Sequence, residues 1–251
     1  MTSEGGARMT LSGHLDELRT RLIRCVVAAC AGAGIAFWRA KDVVGFLRVP
    51  LDVARAKYPN TELIQTAPAE GFIATMMVSL FAGLALAGPY ILHEVWGFVA
   101  AGLYSNERRS VKYYAVPGFV LFFSGAALAY YFVLPWCLEF LVGYASDTTG
   151  LRSLIKLADY LSLVSWMMFV FGVVFQLPLI MVFLMRLGVV EPAFFRRSRR
   201  WAIVLAFVVG ALLTPPDVIS QCALSGTLIA LYEVAILVGS RVARRRGAGG
   251  A

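Results

Sequence analysis

The sequence predicts an all-α, polytopic membrane protein: a bundle of six transmembrane helices, with short fifth and sixth spans and both termini on the cytoplasmic side. Three observations predict it. Of 251 residues, 59% are hydrophobic and mean hydropathy is +0.74, where soluble domains hold about 45–50% apolar residues. That excess must face lipid or neighbouring spans inside a bilayer. The apolar residues also gather into six runs, too long for membrane strands, which need only about ten alternating residues. Finally, the Lys and Arg residues are divided unequally between the two sets of connections.

The runs can be taken in order. Ahead of the first lies "LSGHLDELRTRL", where Leu11, Leu15, Leu18 and Leu22 recur at helical spacing. This reads as an amphipathic helix at the membrane surface. The spans then follow as Leu22–Trp38, Gly71–Leu92, Tyr113–Leu134, Tyr160–Leu187, Trp201–Leu213 and Val218–Ser240. A straight span needs ~20 residues. The fourth is longer and holds Gln176 and Pro178, so it must tilt or kink. The fifth has 13 residues and stops at the prolines of "TPPD", so it must thin the bilayer or shelter among neighbours. The chain reads as one domain over 1–251: a cytoplasmic segment 1–21, a bundle 22–240 and a basic tail 241–251.

Charge sets the orientation. The N-terminal segment, the loops after spans two and four and the C-terminal tail hold 16 Lys and Arg residues, against 7 on the other side. The positive-inside rule puts the 16 in the cytoplasm. The net charge of +8 is therefore a topology signal before it is a nucleic-acid signal. "MTSEGGARMTLSGHLDEL" has acids and no uninterrupted apolar stretch, so it does not read as a cleavable signal peptide. The cysteines form no CxxC pair and read as small packing residues. His14 and His93 lie far apart, so no metal site is expected. No cofactor is expected either, and the chain has no GxxxxGK[ST] phosphate loop.

Two acids sit among cytoplasmic basic residues, Glu17 in "HLDELRTRL" and Glu107 in "NERR". Each has a plain structural reading. Glu17 can pair with Arg21 at i, i+4 for ~0.2–0.5 kcal/mol. Glu107 can be a helix-start acid favoured by the dipole. Glu94, at the end of span two, reads as an interfacial charge.

The motifs resemble those of one family. "HLDELRTRL", "HEVWGFVAAGLYSNERR", "FGVVFQLPL" and "AFVVGALLTPPDVISQ" are similar, in order and spacing, to the TatC subunit of the twin-arginine protein translocase. The resemblance covers roughly Leu11 to Arg241. It implies a non-enzymatic receptor in the bacterial cytoplasmic membrane that exports folded proteins using the proton-motive force. It implies three kinds of protein partner: twin-arginine signal peptides, TatA- and TatB-like single-span subunits, and other copies of the chain. Glu17 and Glu107 match the family's signal-binding acids, and Arg19 and Phe98 lie within the same motifs. Arginine always carries its charge and forks onto a carboxylate, so carboxylates suit such a signal. Pro50, Gln176 and Asp217 match partner or translocation positions, though many relatives carry glutamate where Gln176 stands. Asp217 also reads as a turn residue. Glu233 is expected deep in span six, and intramembrane acids are functional candidates. The competing class, a small-solute transporter or channel, would show inverted repeats, and none is evident. An intramembrane hydrolase would need a base beside Ser162 or Ser165.

Overall fold

The computed structural model describes residues 11–58, 61–101, 114–149, 153–214 and 217–248. Five of its helical stretches are long and apolar enough to cross a membrane: Gly13–Trp38, Glu70–Val99, Ala115–Tyr144, Leu157–Leu187 and Val218–Ala243. The predicted fifth span is not among them. It forms helix α9, Arg199–Leu213, of only 15 residues. The sixth span departs from expectation in the other direction. It lies in α10, Val218–Ala248, of 31 residues, because no Pro or turn signal interrupts the run.

The first helix, α1, runs Leu11–Trp38, so the amphipathic segment and span one are continuous. It packs along α3, Glu70–Ala101, through a close crossing at Gly32 and Gly83. A Cβ on Gly83 would lie 2.2 Å from the Ala33 nitrogen, and one on Gly32 would lie 2.5 Å from the Gly83 oxygen. Small residues of this kind let membrane helices approach backbone to backbone.

Between them α2, Ala40–Lys57, packs Leu47, Pro50, Leu51 and Ala54 into the bundle. Pro50 has no N–H to offer the carbonyl four residues back. That carbonyl, of Phe46, accepts the Tyr130 hydroxyl at 2.6 Å, and Leu47 O accepts Tyr160 at 2.6 Å. A helix carbonyl left open in an apolar setting needs such a donor. At its end Lys57 pairs with Glu139, which raises the Lys57 pKa through a hydrogen bond and charge attraction.

The fold is not wholly helical. Thr61–Ile64 (β1) and Ser153–Lys156 (β2) form a parallel pair, with Thr61 opposite Ser153 and Ile64 opposite Lys156. The β-branched and leucine content of "TELI" and "SLIK" suits a strand. Next to this pair, the Glu70 carboxylate accepts Thr66 N at 2.6 Å, Thr66 Oγ1 at 2.7 Å and Ala158 N at 3.3 Å. One acid thereby ties the start of α3 to the start of the fourth span.

The third span is α4, Ala115–Leu128, then a π-helical turn, Ala129–Val133, then α5, Leu134–Thr149. The fourth breaks as predicted. Helix α6, Leu157–Val174, ends at Phe175 and α7, Leu177–Leu187, begins after Gln176, with Pro178 in its first turn. There a missing N–H costs nothing. Gly188, at φ 75°, closes α7 in the left-handed conformation that glycine adopts without strain. A short helix, α8, Pro192–Arg197, leads into α9. The core centres on Leu51, Leu134, Tyr160, Leu161, Met167 and Phe171, all fully buried.

Candidate functional site

The two ends of the bundle carry different chemistry. At one end the start of α1 meets the last turns of α3. Glu17 and Arg21 sit one turn apart on α1, and Arg21 reaches across to Glu94 on α3. Its guanidinium donates from Nε and Nη2 to Glu17 Oε1, at 3.0 and 2.6 Å, and from Nη1 to Glu94 Oε2 at 2.8 Å. The same Nη1 lies 3.4 Å from the Glu94 carbonyl oxygen. Arg24 Nη1 stands 3.7 Å from Glu94 Oε1. Glu94, only 5% exposed, thus has cationic company on both oxygens, as a buried carboxylate requires. Gly97 makes the crossing feasible, because a Cβ there would come within 2.3 Å of Arg21 Nη1.

The other Glu17 oxygen, Oε2, is buried and has no hydrogen-bond partner among the described residues. His14, one turn earlier on α1, stacks on Phe98 with ring centroids 4.4 Å apart, and its buried Nδ1 is likewise without a partner there. This end therefore holds two buried polar atoms without hydrogen-bond partners beside an aromatic face. A carboxylate oxygen accepts only, so Glu17 Oε2 calls for a donor.

Of the predicted signal-binding residues, the structure brings Glu17 and Phe98 to this one end. Arg19 is exposed on α1. Glu107 lies outside the described residues. Sequence reasoning took Glu94 for a lone interfacial charge and Arg21 for a simple i, i+4 partner. It gave no role to His14 or Gly97. The one available signal was the row of Glu17, Arg21 and Arg24 at helical spacing, which presents acid and base along one line of α1.

The remaining candidates lie elsewhere and apart from one another. Pro50 is buried in α2, as described above. Gln176, in the break of the fourth span, donates from Nε2 to Gly118 O at 2.8 Å, and so pins that break to α4. Trp96, Tyr114 and Phe183 pack beside it, with ring centroids 5.0–5.3 Å apart. Asp217, 5% exposed, caps α10: its Oδ1 accepts Ser220 N at 2.7 Å, its Oδ2 accepts the Ser220 hydroxyl, and Cys137 Sγ lies 3.6 Å away. Glu233, expected deep in span six with a partner that sequence could not name, does have one. It is partly exposed and pairs with Arg199 at 2.7 Å, near the start of α9. The long α10 carries it to that level.

Comparison with known proteins places these features in one family. Residues 13–226 match the family described as Sec-independent protein translocase protein (TatC). The TatC protein of Aquifex aeolicus is 36% identical over 238 residues, covering 95% of this chain and 98% of that one. That of Magnetococcus marinus is 38% identical, over 93% of this chain and 84% of that one. That of Escherichia coli K12 is 35% identical, over 89% and 85%. A crystal structure of a twin-arginine translocase receptor, TatC, superposes with a TM-score of 0.80 at 36% identity, covering 91% of this chain and 99% of that one. A second, in the detergent DDM, gives 0.81. With a family match across most of its length and relatives above a third identical over most of theirs, the chain belongs to the TatC family of Sec-independent protein translocase proteins.

Proposed function

We propose that this chain is the signal-peptide receptor and core subunit of a twin-arginine translocation system. In this reading it sits in a bacterial cytoplasmic membrane and passes folded proteins across it, with the proton-motive force as the energy source. The observation that carries the proposal is Glu17. In the α1 motif that resembles the family's signal-binding segment, it keeps one buried carboxylate oxygen without a hydrogen-bond partner, beside the His14–Phe98 stack. A guanidinium is the donor that fits such an acceptor best. Glu107, from "NERR", is the second acid of this proposed pocket, and Arg19 is its basic rim. Binding of a twin-arginine peptide to the purified chain tests the proposal. Solute flux through liposomes without peptide binding would favour the transporter class instead.

We further assign one domain with a surface segment 1–21, a bundle 22–240 and a tail 241–251. The bundle has six spans, counting α9, and both termini are cytoplasmic. The 16-to-7 division of basic residues supports this orientation. Single cysteines at Lys41 and Arg200, in a background without Cys25, Cys30, Cys137 and Cys222, check it on intact cells. An impermeant thiol reagent is expected to label position 41 and spare position 200. The reverse pattern would overturn the orientation.

The expected partners are single-span subunits of the TatA and TatB type and other copies of this chain. Helix α9 turns Trp201, Leu205 and Leu212 outward, with Leu212 78% exposed, and is too short to match the bilayer unaided. That makes it our choice for the docking face of a single-span partner. Photo-reactive residues at positions 205 and 212 are expected to capture that partner. Capture of lipid alone, while probes on spans one and three capture protein, would move the face elsewhere. Pro50, Gln176, Asp217 and Glu233 contribute, in this proposal, by holding the frame on which partners dock and cargo moves.

A further inference from the structure

We infer that Arg21 is a built-in competitor for the signal's arginine, and that Glu94 is the place it retreats to when a signal arrives. This rests on the reading of Glu17 as a signal-binding acid and adds the device that sets its selectivity. Three observations lead to it. Arg21 presents to Glu17 the same group that a twin-arginine signal would present, with two donors on one carboxylate oxygen at 3.0 and 2.6 Å. It is at the same time bound to a second carboxylate, Glu94, at 2.8 Å, so it can let go of Glu17 without losing its counter-ion. And the second oxygen of Glu17 is buried without a hydrogen-bond partner, so it gains a bond when a donor reaches it and Arg21 shifts aside.

The exchange follows from these contacts. The first arginine of a signal bonds Glu17 Oε2. The carboxylate now serves two guanidinium groups, and their repulsion drives Arg21 toward Glu94. There the Glu94 carboxylate and its backbone oxygen both accept from Nη1. Arg24, 3.7 Å from the other Glu94 oxygen, is exposed enough to swing out as Arg21 settles in. Gly97 keeps the path clear, since any side chain there would meet Arg21. The gain is discrimination. A lysine ammonium is a point charge without the planar fork, and must displace a guanidinium already held by two bonds. A guanidinium replaces like with like. An empty Glu17 would attract both cations through charge alone; an occupied one sets a threshold that arginine passes and lysine does not. Arg21 is in this sense a specificity-determining residue, and Glu94 and Gly97 are positioning residues.

The experiment measures binding of a twin-arginine peptide and its twin-lysine counterpart to the detergent-solubilised full chain. The receptors are the parent, Arg21→Gln, Glu94→Gln and Glu17→Gln. Arg21→Gln is expected to bind the twin-lysine peptide at least fivefold more tightly than the parent, which narrows the arginine-to-lysine ratio. A merely structural Arg21 would lose both peptides in parallel, and that result, or an unchanged ratio, overturns the inference. Glu94→Gln keeps the shape but removes the refuge, so it is expected to weaken twin-arginine binding at least fivefold. Unchanged or tighter binding there also overturns it. Arg21→Lys, which keeps a charge without the fork, covers the case in which the glutamine variant does not fold; it is expected to narrow the ratio as well, and a parental ratio overturns the inference. The Glu17→Gln arm separates the two levels. If it loses twin-arginine binding while the Arg21 variants keep the parental ratio, only the competitor fails. If it loses nothing, the receptor reading of Glu17 fails and the competitor goes with it.

Discussion

Replacing Glu17 by glutamine is expected to weaken binding of a twin-arginine peptide by about tenfold to a hundredfold. A hydrogen bond to an ionised group contributes on the order of 1.5–3 kcal/mol, and 1.4 kcal/mol is a factor of ten. Glutamine keeps the shape, so the loss reports charge. The single substitution also releases one side of Arg21, whose remaining anchor is Glu94. Helix α1 should therefore stay in place, because its contact with α3 runs on to the Gly32–Gly83 crossing. Glu107→Gln is expected to act in the same direction, and the double variant should show coupling if the two acids share one ligand. Peptide titration of the solubilised protein measures all four receptors. Parental affinity in both single variants would leave Glu17 as no more than the i, i+4 partner of Arg21.

The second large effect is on stability. Asp217→Leu is expected to destabilise the folded protein by about 2–4 kcal/mol. Loss of a helix N-cap costs about 1 kcal/mol, and a buried donor left without a partner costs a further ~1–3 kcal/mol. Both apply, since Ser220 offers its N–H and its hydroxyl to this one carboxylate, and the cluster is buried. Asp217→Asn keeps an acceptor oxygen and should cost far less. Thermal unfolding in detergent distinguishes them. Peptide affinity at the opposite end should be untouched in both. If Asp217→Leu melts with the parent, the acid is not the cap that its geometry describes.

The order and kind of helices were legible in the sequence, because a span is written in consecutive residues. The break in the fourth span was legible too, since Pro178 announces where a helix can start but not continue. What sequence could not show was distance across the bundle. Glu94 and Arg21 lie 73 positions apart in the chain, and no local pattern links them. The same holds for Pro50: its missing N–H is visible in the sequence, but the hydroxyl that satisfies the freed Phe46 carbonyl comes from Tyr130, two spans away. The partner of Glu233 was hidden for the same reason, since Arg199 lies 34 positions away in the chain. The strand pair was missed because four-residue segments in loops carry too little periodicity to read.

Helix α9 has an electrical consequence as well as a steric one. Fifteen residues rise about 22 Å, where the hydrocarbon core is about 30 Å thick. If the bilayer beside α9 thins to match, the same voltage falls over roughly three quarters of the usual path. The local field is then stronger by about a third. Each elementary charge crossing the full potential exchanges about 2.3 kcal/mol per 100 mV, wherever it crosses. Beside α9, however, that work is concentrated into a shorter displacement, so a charged segment lodged there feels a larger force than it would in a bilayer of ordinary thickness.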